Sequence, residues 1–244
     1  MYFMNKSFLL SSIVALGLIG TSGVPMAYAQ VDAQVNKAKI QIEQEMEKKQ
    51  REERQEIINL INEPVDQEAV KKEIEWMKKN APDKYNQVIS GQQAKGVSAL
   101  ASSGALGTNG DILITYDSES SGWNHGHAAI VRWDGEYIIE AWPGEGVRYY
   151  VNNWKTRWKT WKGLWVKGAM GEDYTSAQSY ARAQIGEPYS LTATKGQSSK
   201  WYCSLLVWKA WENRGFDLDD DGGIIVTPSD LDQDSETITY ASSN

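Results

Sequence analysis

The amino-acid sequence predicts an α+β domain over residues 98–244, behind a helical segment at 30–97. Three observations predict it. Two strand-like runs flank an Asp-Gly pair between His127 and Trp142, an apolar helix-like run spans Trp201 to Trp211, and residues 31–93 keep apolar positions at helical spacing in a Lys-, Glu- and Gln-rich background. With 244 residues, 41% hydrophobic and 23% charged, the chain suffices for one packed domain plus appendages. A net charge of -7 argues against nucleic acid as a partner, because phosphate binding needs a basic face.

Residues 1–29 read as an export signal. Lys6 supplies positive charge, residues 8–20 are apolar but too short to span a bilayer comfortably, and Ala27-Tyr28-Ala29 fits a small-x-small cleavage site. The mature chain is then expected to start at Gln30 and to be secreted, either free or associated with the cell wall. No Cys sits at the cleavage point, which argues against a lipoprotein, and no second long apolar run predicts a membrane span. The chain has 1 Cys, Cys203, so an exported form could make no internal disulfide. Cys203 is then either a small buried hydrophobe or a thiol in use.

Within 31–93, Val35, Ile42 and Met46 form an apolar stripe, thickened by Ile57, Ile58, Leu60 and Ile61, until Pro64 breaks the run. Asp66 is placed to cap a second helix through about Lys79, with Val70, Ile74 and Met77 on one face. These two helices can be a spacer, a coiled-coil surface or a pro-segment over a groove. Residues 90–110 read as a Gly-, Ser- and Ala-rich linker, and regular structure resumes with the strand Gly110-Asp111-Ile112-Leu113-Ile114. The sequence has no internal repeat.

Ala128 to Trp133 and Glu136 to Trp142 read as strands joined by a two-residue Asp134-Gly135 turn, and Pro143-Gly144 ends the hairpin. That turn pairs Val131 with Ile138 and Ala129 with Glu140. His127 and Glu140 then share a face as diagonal neighbours, their backbones about 7–8 Å apart with small Ala129 between. A carboxylate beside an imidazole fixes its tautomer and stabilises its charged form. The chain has 2 His; His125 shares this parity but lies one step further off.

Cys203 falls in the first turn of the downstream helix, which Gly215 ends. There free backbone N–H groups and the helix dipole favour a thiolate, and the same groups can hold an oxyanion. With His127 in reach, this is a nucleophile and its base.

The blocks Gly110-Asp111-Ile112-Leu113-Ile114, Gly126-His127-Ala128-Ala129-Ile130-Val131, Glu140-Ala141, Gly186-Glu187-Pro188-Tyr189 and Tyr202-Cys203-Ser204 resemble the NlpC superfamily of papain-like cysteine hydrolases. More specifically they resemble its permuted, YiiX-like branch, in which the His precedes the Cys. The likeness covers about residues 110–231. It implies a circularly permuted papain-like fold, a small antiparallel sheet packed on the nucleophile helix. It also implies a catalytic triad of Cys203, His127 and Glu140, with Tyr189 and Tyr202 on the substrate side. Leu205 departs from the acidic residue that relatives often carry after Cys-Ser. The implied reaction is amide hydrolysis through a thioester, on cell-wall peptide, γ-glutamyl-type or N-acyl amides, and no cofactor is required. Two rivals stand beside it: a non-catalytic wall-binding module and an acyl or peptidyl transferase using the same thioester.

Two further patterns qualify the picture. Trp154, Trp158, Trp161 and Trp165 sit at helical spacing among Lys155, Arg157, Lys159 and Lys162, although Leu164-Trp165-Val166 reads equally as a strand. The chain holds 11 Trp against 3 Phe, which suits a Trp-rich core or a groove wall. Asp217, Asp219 and Asp221, followed by Gly222, match the opening of a calcium loop. Position 12 is Pro228 rather than Glu, so a complete EF-hand is excluded, leaving a looser structural calcium site completed by Asp230 or an acidic solvated turn. Two His and one Cys are too few for a zinc site of that type. No phosphate loop or Gly-x-Ser-x-Gly elbow is present.

Overall fold

A computed structural model describes residues 24–94, 104–117 and 126–244, with side chains from residue 33 and none at 91–94. His125, most of the signal segment and residues 95–103 of the expected linker lie outside the described residues. The chain divides into two units, Met1–Ile58 and Asn59–Asn244. In the first, helix α1 (Val24–Asn62, which runs on into the second unit) carries Ile40, Ile42 and Met46 exposed. Its surface is tied by i,i+4 pairs, Lys48–Glu52 at 3.6 Å and Glu47–Arg51 at 3.8 Å. No described helix is long and apolar enough to cross a membrane.

The second unit is built on six antiparallel strands: β1 (Ile112–Thr115), β2 (His127–Val131), β3 (Tyr137–Trp142), β4 (Gly146–Val151), β5 (Lys162–Val166) and β6 (Thr237–Ser242), in the order β4-β3-β2-β1-β5-β6. Every residue of β1, β2 and β5 is buried. Both faces of these strands are therefore covered, and they read as apolar runs rather than alternations. On one face lie Ile112, Ile114, Ala128, Ile130, Ile139 and Ala141, packed with α5 (Gly171–Ala183) and α6 (Cys203–Glu212). On the other, Leu113, Ala129, Val131 and Ile138 meet Leu106 and Trp154. Helix α6 buries eight of its ten residues, as an all-round apolar helix must. The fold is the α+β arrangement expected, a small antiparallel sheet packed on the Cys203 helix.

Three local readings change. The β2–β3 register keeps Val131 opposite Ile138, but the turn is wider than two residues. Arg132 N–H donates to Tyr137 O, Gly135 N–H to Arg132 O, and the Arg132 side chain holds Asp134, so the tight turn is Arg132–Gly135. The Trp154–Trp165 helix breaks after one turn, α4 (Trp154–Arg157), and Trp165 lies in β5 as the apolar triplet allowed. A further helix, α3 (Pro82–Ala94), follows α2 (Gln67–Asn80), whose N-cap is Asp66 as expected; its carboxylate accepts from Glu68 N–H (3.0 Å) and Ala69 N–H (2.9 Å).

Helices α2 and α3 belong to the unit that holds the sheet, whereas the sequence groups them with the charged segment at 30–97. Val70, Met77 and Val88 enter the helix-side core. Lys84 in α3 is wholly buried, donates to Asp111 and to Asn109 O (2.8 Å), and lies 3.7 Å from the Tyr174 ring centroid. Burial pushes the Lys84 ammonium below its ordinary pKa, and Asp111 opposes that shift. Removing one partner of such a pair strands a buried charge, at a cost of about 3–5 kcal/mol. Lys84→Met should therefore destabilise the protein by that order in urea unfolding, and Lys84→Met with Asp111→Leu should lose less than Lys84→Met alone. Equal or larger loss in the double variant would show that the pair is not what holds α3.

Candidate active site

His127 opens β2 and Glu140 lies in β3. They face the same side of the sheet, and His127 Nε2 lies 2.8 Å from Glu140 Oε2. An ionised carboxylate can only accept, so the imidazole donates there and its Nδ1 is left for the thiol. Residue exposures are 1% for His127 and 0% for Glu140. Cys203, at 6%, is the first residue of α6, where the first-turn N–H groups have no acceptor within the helix. That N-terminus is pinned: Ser204 Oγ donates to Val226 O (2.8 Å), and Val226 N–H donates to Tyr202 Oη (3.1 Å).

The three groups shift one another. Burial alone would lower His127, but hydrogen bonds and charge from Cys203 and Glu140 outweigh it and raise the imidazole to about 9. Burial pushes the Cys203 thiol up, and His127 with the Ala128 and Ser204 N–H groups brings it below its ordinary value. Burial would raise Glu140, but His127, Arg157 and Arg148 hold its carboxyl at about 2. At Cys203 and His127 the mutual hydrogen bonds and charges oppose burial, pushing the thiol toward its ionised form and the imidazole toward its protonated form.

Trp rings enclose the imidazole. Trp142 meets it edge-on at 5.1 Å, Trp154 stacks at 5.8 Å, and Trp158 lies at 6.2 Å between centroids. Trp158 and Arg157 also line an open cleft of about 330 Å³ with Asp117 and Lys159. A wider depression between α3 and α5 includes Asp83, Glu172 and Thr175 but no residue of the triad.

The remaining expected residues are placed as follows. Tyr189 bridges to Trp201 and packs, half-buried, against the helix-side core. Tyr202 is wholly buried with its hydroxyl on the Val226 N–H. Asp219, Asp221 and Asp230 bring carboxylate oxygens within 4.8 Å of one another. Asp217 lies outside that group because its Oδ1 accepts from Trp208 Nε1 at 2.8 Å. The sequence reading missed Arg148 and Arg157, which both bond to Glu140.

Comparison with known proteins finds three similarities. Residues 111–223 match the permuted papain-like amidase enzymes, the YaeF/YiiX or C92 family, and include His127, Glu140 and Cys203. That match spans 113 of the 244 residues. An uncharacterized protein of Bacillus subtilis, YycO, is 28% identical over 155 residues, and this chain spans 62% of that relative's length while 62% of its own is covered. A crystal structure of the metalloprotein YiiX from Escherichia coli O157:H7 aligns with TM-score 0.42 and 18% identity, covering 55% of this chain and 96% of that one.

The shifts predict an unusual thiol. An ordinary Cys at pH 6 is thiolate to well under 1%, so alkylation by iodoacetamide should persist at pH 6 in the intact protein and fall on the order of 100-fold in His127→Ala. Equal rates in the two proteins, measured by mass spectrometry of Cys203, would remove His127 from the thiol's activation. Glu140 also predicts an acid limb of stability. Its folded value of about 2 lies below the ordinary 4.5, so its contribution is full above about pH 4.5 and lost as pH falls toward 2. Glu140→Gln should flatten that part of a melting-temperature profile.

Proposed function

We propose that this protein is a secreted amidase, acting on cell-wall peptide, γ-glutamyl-type or N-acyl amides through Cys203, His127 and Glu140. The observation that supports the triad most directly is the buried 2.8 Å contact of His127 Nε2 with Glu140, which leaves Nδ1 to the thiol at the N-terminus of α6. The Cys203 thiolate attacks the amide carbonyl carbon, and backbone N–H groups of the first turn of α6 take the negative oxygen. His127 gives its proton to the leaving nitrogen as the C–N bond breaks, producing a thioester and a free amine. Water, deprotonated by His127, attacks the thioester and releases a carboxylic acid and the thiolate. Throughout, Glu140 holds the imidazole by Nε2. The exported, wall-facing setting is supported by Lys6, the apolar run at 8–20 and the Ala27-Tyr28-Ala29 site.

A structural calcium is the second part of the reading. Burial raises the carboxyls of Asp219 and Asp230, and repulsion from Asp221 adds to both shifts. Asp219 Oδ1 is buried without a partner, while Lys195 holds its other oxygen. A calcium ion would complete the group from Asp219, Asp221 and Asp230, with hard oxygen ligands suited to it.

Hydrolysis of a panel of γ-glutamyl and N-acyl amides should vanish in Cys203→Ala. For the wild type, kcat/KM should fall as pH rises through about 9, where His127 loses the proton the leaving group needs. No turnover by a protein whose Cys203 alkylates rapidly would favour a different amide class. An inert Cys203 would favour the wall-binding module. Products that incorporate an added amine in place of water would establish the transferase. Millimolar calcium should raise the melting temperature of the wild type but not of Asp219→Asn/Asp230→Asn; no rise at that concentration would dismiss the ion.

A further inference from the structure

Glu140 is held by more positive charge than it carries. Arg148 stands opposite it in the β3–β4 ladder and donates Nε (3.0 Å) and Nη2 (2.7 Å) to Oε1. Arg157, from α4, donates Nη1 to Oε2 at 2.9 Å, the oxygen that also receives His127 Nε2. Both guanidinium groups lie over the Trp142 ring, at 5.0 Å and 4.6 Å from its centroid, and over Tyr150, at 4.7 Å and 4.3 Å. Arg157 also lies 4.7 Å from the Trp158 centroid. Two of these rings, Trp142 and Trp158, also meet the imidazole, at 5.1 Å and 6.2 Å between centroids. Glu145 pairs with Arg148, but its side chain is 57% exposed and screened by water.

We propose that Arg148 and Arg157 are positioning residues for the amide hydrolysis, which fix Oε2 on His127 and cancel the charge of Glu140 so that it orients the imidazole without repelling the Cys203 thiolate. The proposal rests on the Cys203–His127 reading above. A lone buried carboxylate this close to a thiolate would oppose its formation and hold the imidazolium too firmly to release its proton. One carboxylate with two guanidiniums carries net positive charge, and that favours the thiolate and the oxyanion that follows it. The groups facing His127 are Cys203 from α6, Glu140 from β3, Arg148 from β4 and Arg157 from α4, with Asp117 and Lys159 along the adjoining cleft.

The cleanest test titrates His127 by NMR in the full chain with Cys203→Ala, so that the thiol cannot couple to it. His127→Asn identifies the resonance, since the chain has 2 His. With less positive charge on Glu140, Arg157→Met should move the His127 midpoint upward by at least about half a pH unit. Arg157→Lys keeps the charge and should leave the midpoint in place. In the Cys203 protein, both should lower kcat/KM by about tenfold or more, because each loses the geometry that aims the imidazole. An unmoved His127 midpoint in folded Arg157→Met, checked by melting temperature, would overturn the electrostatic role. Should Arg157→Met not fold, Arg148→Met is read in the same way. If the midpoints move as expected but wild-type Cys203 alkylates like an ordinary thiol, the clamp stands and the hydrolase reading fails.

Discussion

The structure around the site turns on placing a carboxylate, Glu140, in the middle of a sheet with no access to water. An ionised group there is tolerated only with partners that satisfy its oxygens. Glu140 has one donor from each of two neighbouring strands and one from α4: His127, Arg148 and Arg157. The β3–β4 pairing, the single helical turn of α4 and the aromatic packing of Trp142, Trp154 and Trp158 can be read as consequences of that need. Each brings a cation to the carboxylate or keeps water from loosening the contact.

The same constraint bears on Cys203, the candidate nucleophile. Cys203 is 6% exposed, and burial by itself would make it inert. Three features oppose burial: the imidazolium of His127, the N–H groups of Ala128 and Ser204, and the start of α6. They act only if the helix start is fixed against the sheet. The bonds from Val226 to Tyr202 and from Ser204 to Val226 do this from the far side of the helix. The acidic turn at 217–223 precedes Val226 in the chain, and the charges of Asp219 and Asp230 help hold the Tyr202 hydroxyl in its neutral form.

The parts of this arrangement that were legible in sequence are those governed by period and register. Alternation in β2 and β3 with the sum of paired positions fixed by the turn put His127 and Glu140 on one face. The register survived even though the turn is centred on Trp133 and Asp134, because lengthening the loop symmetrically leaves the pairing unchanged. Cys203 at a helix start was legible for the same reason, since an apolar run after Ser198-Ser199-Lys200 has only one end at which to begin. Asp66 as a cap was legible from local chemistry. Tertiary partners were not. Lys84 reads as one more charge in the polar segment at 31–93, and only packing against Asp111 and Tyr174 shows why it is buried. Arg157 reads as a basic flank of a Trp helix, and the early strand β5 that ends that helix is decided by pairing with β1 and β6.

Arg148 lies between these cases. The run Gly146–Val151 follows a turn-forming Pro143-Gly144, and continuing the ladder past that turn puts residue 148 directly opposite 140. A Glu facing an Arg across an antiparallel pair is a favourable cross-strand contact on any sheet. On an exposed face it would be worth a fraction of a kcal/mol and mean nothing more. Here the carboxylate is already committed to His127 on the other side, so the arginine cannot be bystander chemistry. It is the counter-charge that lets a glutamate occupy a place where a neutral amide would otherwise be the cheaper way to hold an imidazole.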